Sequence, residues 1–127
     1  MASTPILLVE DDPDIRELFA ETLRQAGVQV ATAENGFEAL RILREGGFVP
    51  SGILLDLMMP VMDGYAFLYE RRKDPTLASI PVAVVTAAHT VNLAQMGPGV
   101  EVVPKPVDAP RLLSVVNGLR ERSSARD

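Results

Sequence analysis

The sequence predicts one α/β domain, a doubly wound, five-stranded parallel sheet with five helices. Three observations predict it. Short apolar runs alternate with amphipathic segments along the chain, the pattern of repeated βα units, whose crossovers are nearly always right-handed. Several of those runs are apolar without interruption, as expected of strands covered on both faces. Four of them end in groups capable of chemistry. With 127 residues, 47% of them hydrophobic, the chain can bury one sizeable core but not two ordinary ones. The domain is therefore expected to span 1–127, with a polar tail over roughly 122–127.

Ile6-Leu-Leu-Val9 is the first strand, closed by Glu10-Asp11-Asp12. Pro13 then suits the first turn of a helix capped by Asp12. Ile15, Leu18, Phe19, Thr22 and Leu23 recur at helical spacing, and Gly27 supplies the stop. Val28 to Ala33 alternates like a strand, and Asn35-Gly36 leads into a helix with Phe37, Ala39, Leu40 and Leu43 on one face, ended by Gly46-Gly47. The third helix carries Tyr65, Phe67 and Leu68 and finishes near Asp74-Pro75, with Arg71 to Lys73 expected as a solvated face. Ile80 to Thr86 is a buried strand ending in a hydroxyl. Beyond it the helical pattern of Val91, Leu93, Ala94 and Met96 is weak and is broken by Gly97-Pro98-Gly99, so the fourth helix should be short or irregular. His89, the only histidine, reads as an ordinary exposed residue at that helix's start. Val100, Val102 and Val103 form a fifth strand before Pro104-Lys105-Pro106. The last helix starts near Asp108 to Pro110 and turns Leu112, Leu113, Val116 and Leu119 inward.

The stretch Gly52 to Gly64 organises this pattern. Ile53, Leu54 and Leu55 run straight into Asp56, which therefore lies at the carboxyl end of a buried strand, the edge where ligands bind in open α/β sheets. An Asp before a proline-containing turn is equally an ordinary capping residue, and this stretch alone does not choose between the two. The wider pattern does. Glu10, Asp11, Asp56, Thr86 and Lys105 follow four different strands, so one common edge gathers them although they are far apart in sequence.

Composition narrows the function. A net charge of −5 argues against an electrostatic footprint for nucleic acid or an anionic membrane. No cysteine means no disulfide framework and no thiolate chemistry, which suits a reducing cytosol. Met1 to Pro5 lacks the features of a signal peptide and no apolar run approaches spanning length, so a soluble, cytoplasmic protein is expected. Carboxylates crowded at one edge repel, and a hard divalent cation offsets the repulsion. Magnesium fits this oxygen-only set better than zinc. A carboxylate can also act as nucleophile and form an aspartyl-phosphate, with Asp56 the candidate, Lys105 a point charge and the Thr86 hydroxyl a donor to a phosphoryl oxygen.

The residues so assembled resemble the receiver domain of two-component response regulators, and the resemblance covers essentially the whole chain. Ile6-Leu-Leu-Val-Glu-Asp-Asp-Pro13 with Arg16 is similar to the family's first strand and acidic turn, and Asp56 to Gly64 to its phosphoacceptor loop. Thr86-Ala87 and Lys105-Pro106 match its switch hydroxyl and its lysine with the following proline. The resemblance implies a flavodoxin-like or CheY-like fold with strand order 2-1-3-4-5, phosphorylation on Asp56, and magnesium held by Asp11, Asp56 and the Met58 backbone carbonyl, with Glu10 acting through water. It also implies a cis bond before Pro106. As partners it implies a histidine kinase or histidine phosphotransfer protein, and a downstream protein or output domain reached through the face of the fourth helix, fifth strand and fifth helix. The switch pair would be Thr86 and Val102, yet Val102 stands where the family commonly has an aromatic. A receiver-like module independent of phosphate is disfavoured because every residue needed for phosphorylation is present. A haloacid-dehalogenase-like phosphohydrolase usually carries a second acid two residues after the nucleophile, and here that residue is Met58.

Overall fold

The computed structural model describes residues 5–46, 49–88 and 90–125. Gly47 and His89, given roles above, lie outside the described residues, as do the first four residues. The strands are β1 (Ile6–Val9), β2 (Val30–Ala33), β3 (Gly52–Leu55), β4 (Val82–Thr86) and β5 (Val100–Pro104), and they form one parallel sheet in the order β2-β1-β3-β4-β5. The helices are α1 (Pro13–Gln25), α2 (Gly36–Glu45), α3 (Gly64–Lys73), α4 (Leu93–Met96) and α5 (Ala109–Ala125). This is the doubly wound architecture that the alternating pattern demands.

Alternation along the strands divides the core into two layers. Leu7, Val9, Ile53, Leu55, Val82 and Val84 point to the side of α2, α3 and α4, where they meet Leu40, Phe67, Leu68 and Met96. Ile6, Leu8, Leu54, Ala83, Val85 and Val103 point the other way, onto Phe19 and Leu23 of α1 and Leu112, Val115, Val116 and Leu119 of α5. All four residues of β1 and of β3 are buried. Uninterrupted apolar runs thus mark the strands that are covered on both faces.

Helix starts follow their caps. The Asp12 carboxylate accepts from the Asp14 and Ile15 amides at 2.8 and 3.2 Å, with Pro13 in the first turn. Asn35, Asp63 and Asn92 accept from the amides of Glu38, Ala66 and Gln95 in the same way. At the other end of α1, Gly27 takes φ +84° so that the chain can turn into β2.

Several expectations need correction. Leu18 is 63% exposed and Phe37 is 60% exposed. Burial of Ala20 beside Phe19 and Leu23 rotates the inner face of α1 until Leu18 lies nearly opposite it, and the inner face of α2 is centred on Ala39, Leu40 and Leu43. The basic run of α3 is a solvated face only at Lys73. Arg71 is buried and its Nη2 donates to the Ile80 carbonyl at 2.7 Å, while Arg72 Nη1 donates to the Gln95 and Met96 carbonyls at 2.9 and 2.7 Å. The helix α5 continues to Ala125, through the start of the expected polar tail. Loss of hydrophobicity there marks the point where the helix outruns the core, not the point where it ends. As expected, α4 is a single short turn, and among its residues only Met96 is buried.

Candidate functional site at the carboxyl edge of the sheet

Ladder bonds carry the strand ends to a common edge. The Glu10 amide donates to Ala33 O, the Asp56 amide to Val9 O and the Lys105 amide to Thr86 O, at 3.0, 3.0 and 2.8 Å. Glu10, Asp11 and Asp56 then each present a carboxylate oxygen within 4.8 Å of the others. Lys105 joins them. Its Nζ lies 2.9 Å from Glu10 Oε1 and 3.9 Å from Asp56 Oδ1, so its nearer partner is Glu10, a pairing the sequence did not announce. The Lys105–Pro106 peptide bond is cis.

Glu10 and Asp56 are almost fully buried, with 3% and 7% of their surface exposed, and Asp11 is more open. Burial pushes the Asp56 carboxyl up from 3.8 to about 7, and the charge of Glu10 adds to the rise, while Lys105 opposes it. A carboxylate held in that condition is short of positive charge. The donor set consists of carboxylate oxygens with no nitrogen or sulfur ligand, and it lies at a partly open edge, so it fits a hard divalent cation with waters retained.

The remaining sequence candidates sit around this cluster. Thr86 is buried at the end of the adjacent strand, and its Oγ1 accepts from the Ala88 amide at 3.1 Å. Met58 approaches Asp56 Oδ1 through its amide at 3.5 Å, while its side chain is 69% exposed. Val102 stands apart. It pairs with Val84 and packs on the α2, α3 and α4 layer, a position about the backbone of β5 and not about the polar cluster.

Arg16 was quoted as part of the acidic motif but given no task. Its Nη1 donates to the Glu10 carbonyl at 2.9 Å and reaches the Asp11 carbonyl at 3.4 Å, so the guanidinium fixes the turn that aims both acids. The available signal was its place one turn into the helix that follows those acids. Gly64 is the other positioning residue. Its amide donates to Leu57 O at 2.9 Å, and a Cβ there would lie 2.7 Å from Leu57 Cα and 2.8 Å from Asp56 O.

Comparison with known proteins agrees with this geometry. The family model of the response regulator receiver domain matches residues 6–117, and the chain belongs to that family. A response regulator receiver protein of Anaeromyxobacter sp. strain Fw109-5 is 39% identical over 110 residues, which cover 86% of this chain and 45% of that protein. The chain thus spans less than half the length of that curated relative. Among solved structures, the receiver domain of a signal transduction histidine kinase from Syntrophus aciditrophicus aligns with a TM-score of 0.82 at 32% identity, covering 94% of this chain and 91% of that one. The response regulator TrrA of Thermotoga maritima, solved in complex with Mg(2+)-BeF, aligns with a TM-score of 0.79 at 32% identity, covering 91% and 98%. Among the described residues, no helix is long and apolar enough to cross a membrane.

Proposed function

We propose that this receiver domain accepts a phosphoryl group on Asp56 from a histidine kinase or a histidine phosphotransfer protein, and that the modified state changes the domain's affinity for a downstream protein or output domain. The observation that carries the reading is the placement of Asp56 at the carboxyl edge with Lys105 Nζ 3.9 Å away and two further acids beside it. An Asp56 oxygen attacks phosphorus as the bond to the donor's imidazole nitrogen breaks. The new bond is an acyl phosphate, and the released imidazole takes a proton. Lys105 supplies charge to the incoming phosphoryl oxygens once it turns from Glu10, and the Thr86 hydroxyl donates to one of them. Asp11, Asp56 and the Met58 backbone carbonyl would hold magnesium, with Glu10 acting through water. Bound there, the ion would neutralise the crowded carboxylates and the charge of the transferring group.

On this reading the domain is a cytoplasmic signalling phosphoacceptor, not an enzyme acting on an outside substrate. Its output leaves through the face of α4, β5 and α5, with Thr86 as the switch. Val102 has no ring to reorient, so movement of the backbone after β4 takes over that part. The test is direct. Incubation with acetyl phosphate and magnesium should add one phosphoryl group by intact mass, and Asp56→Asn should remove it. Labelling that persists in Asp56→Asn would sink the assignment.

A further inference from the structure

The opposite edge of the sheet holds a second polar feature that this signalling chemistry does not use. A cavity of about 330 Å³ opens where β4 and β5 begin, lined by Arg71, Ser79, Pro81, Pro98, Gly99 and Arg122. Two arginines therefore line one cavity in a chain whose net charge is −5. Both lack partners. Arg71 is 3% exposed, and although its Nη2 donates to Ile80 O, its Nε is buried with no hydrogen-bond partner. Arg122 Nη2 is likewise buried without one.

Counter-charge is short as well. Among the described residues no carboxylate forms an ion pair with Arg71, and Arg122 has only Glu101, at 4.0 Å, which is shared with Arg111 at 3.8 Å. Burial, followed by the charge of Arg72, brings the Arg71 guanidinium down to about 10. A buried guanidinium with an N–H left without an acceptor is costly, because its desolvation is only partly offset by the bonds it makes. The ends of α3 and α5 bring partial negative charge to this edge, but each helix end carries only about half a charge, against two full positive ones. At about 30 Å³ per water, the space suits a small anion together with several waters.

We propose that this cavity is an oxyanion site, in which Arg71 and Arg122 together bind a phosphate or carboxylate group of a small molecule at the edge of the sheet remote from Asp56. The planar, forked donors of arginine match either group. The backbone beside the cavity is open. Gly99 adopts φ +77° with nothing within 4 Å of an added Cβ, so an anion can approach the chain there.

The test titrates Asp56→Asn protein in EDTA, at ionic strength held constant with chloride, with inorganic phosphate in one arm and malonate in the other, read by amide chemical shifts. Saturable shifts at Ser79, Gly99 and Val100 are expected with at least one of the two anions. Arg122→Gln, a change on a half-exposed helix residue, should weaken that binding about tenfold, and Arg71→Lys should weaken it too. A response to phosphate alone assigns the source to phosphoryl compounds, and a response to malonate alone assigns it to carboxylates. The proposal is overturned if neither anion binds, if shifts are confined to the carboxyl edge, or if Arg122→Gln binds as tightly as its parent. Because the background lacks the Asp56 carboxylate, failure here leaves the phosphoacceptor reading untouched.

Discussion

The two segments that leave the carboxyl edge after β3 and after β4 are anchored by opposite means. After β3, the chain is fixed by its own backbone. The Gly64 amide donates to Leu57 O, the Gly36 amide donates to Met62 O at 3.1 Å, and α3 starts in contact with the backbone of Asp56 and Leu57. After β4, side chains from outside the segment are used. The Asn92 amide donates to the Tyr65 hydroxyl at 2.9 Å, and Arg72 holds the last two carbonyls of α4. Tyr65 and Arg72 both belong to α3, so one helix grips the short α4 at its two ends. The first segment cannot move without disturbing the end of β3, whereas the second can shift by releasing a few exposed or half-exposed bonds. That difference suits a fixed platform for Asp56 and a movable reporter beside Thr86.

The largest expected effect breaks the platform. Gly64→Ala would force a methyl group against Leu57 Cα and Asp56 O, both of them backbone atoms that cannot swing away. A loss of about 3 kcal/mol in urea unfolding is expected, the upper part of the usual range for overpacking. A loss below about 1 kcal/mol would show that the platform yields, and the contrast between the two segments would fail with it.

A second effect comes from the charge that the platform carries. Because the folded Asp56 carboxyl is raised from 3.8 to about 7, the folded metal-free protein holds a proton that the unfolded chain has already lost between those values. Stability from this group is therefore unaffected below the unfolded value, falls as pH rises from 3.8 to about 7, and stays reduced above that. Asp56→Asn should stabilise the metal-free protein by about 2 kcal/mol at pH 8, roughly half of what the full shift corresponds to because solvent screens the partly open site, and by almost nothing below pH 4, as read by thermal melts. Magnesium should raise the wild-type melting temperature at pH 8 more than that of Asp56→Asn. Equal melting temperatures for the two proteins across the whole pH range would remove the charge argument.

How far the sequence discloses these features depends on what kind of contact makes them. Apolar periodicity is local, so Ile6 to Val9, Ile53 to Leu55 and the strand ending at Thr86 could be placed in the sheet, and their terminal acids, hydroxyl and lysine followed. Caps are local too, which is why Asp12 could be assigned from its neighbours. Arg71, Arg72 and Tyr65 could not. Their partners lie 9 to 27 residues away, and no pattern within one helix separates an arginine in water from one that has turned under the sheet. The pairing of Lys105 with Glu10 across 95 residues is hidden for the same reason, since shared position at an edge does not specify which acid lies nearer.

Arg72 tests the reporter half of the contrast. Arg72→Ala removes both bonds to the end of α4, and also the side chain against which Gly97 is packed, since a Cβ on that glycine would meet Arg72 Cδ at 2.8 Å. A loss of about 1 kcal/mol is expected, because charge-assisted bonds are strong but these are partly solvated. It should appear as faster amide exchange at Met96, with no change at Gly64.

The smallest expected effect is the most local. Tyr65→Phe removes a single acceptor from the Asn92 amide, and water can replace that acceptor because the bond is exposed. The net loss should be about 0.5 kcal/mol, which corresponds to roughly twofold faster exchange of the Asn92 amide. The Gly64 amide reports on the platform in the same sample, because its acceptor is the Leu57 carbonyl and not a side chain of α3. If α4 is tethered from outside, Asn92 exchanges faster and Gly64 keeps its rate. The same variant tests the output route. With beryllofluoride and magnesium present, the Asn92, Gln95 and Met96 resonances should move further in Tyr65→Phe than in the wild type, since one restraint on the segment after Thr86 has been removed. Equal acceleration at Gly64 and Asn92, or α4 resonances that ignore beryllofluoride in both proteins, would show that the segment after β4 is as rigidly fixed as the one after β3.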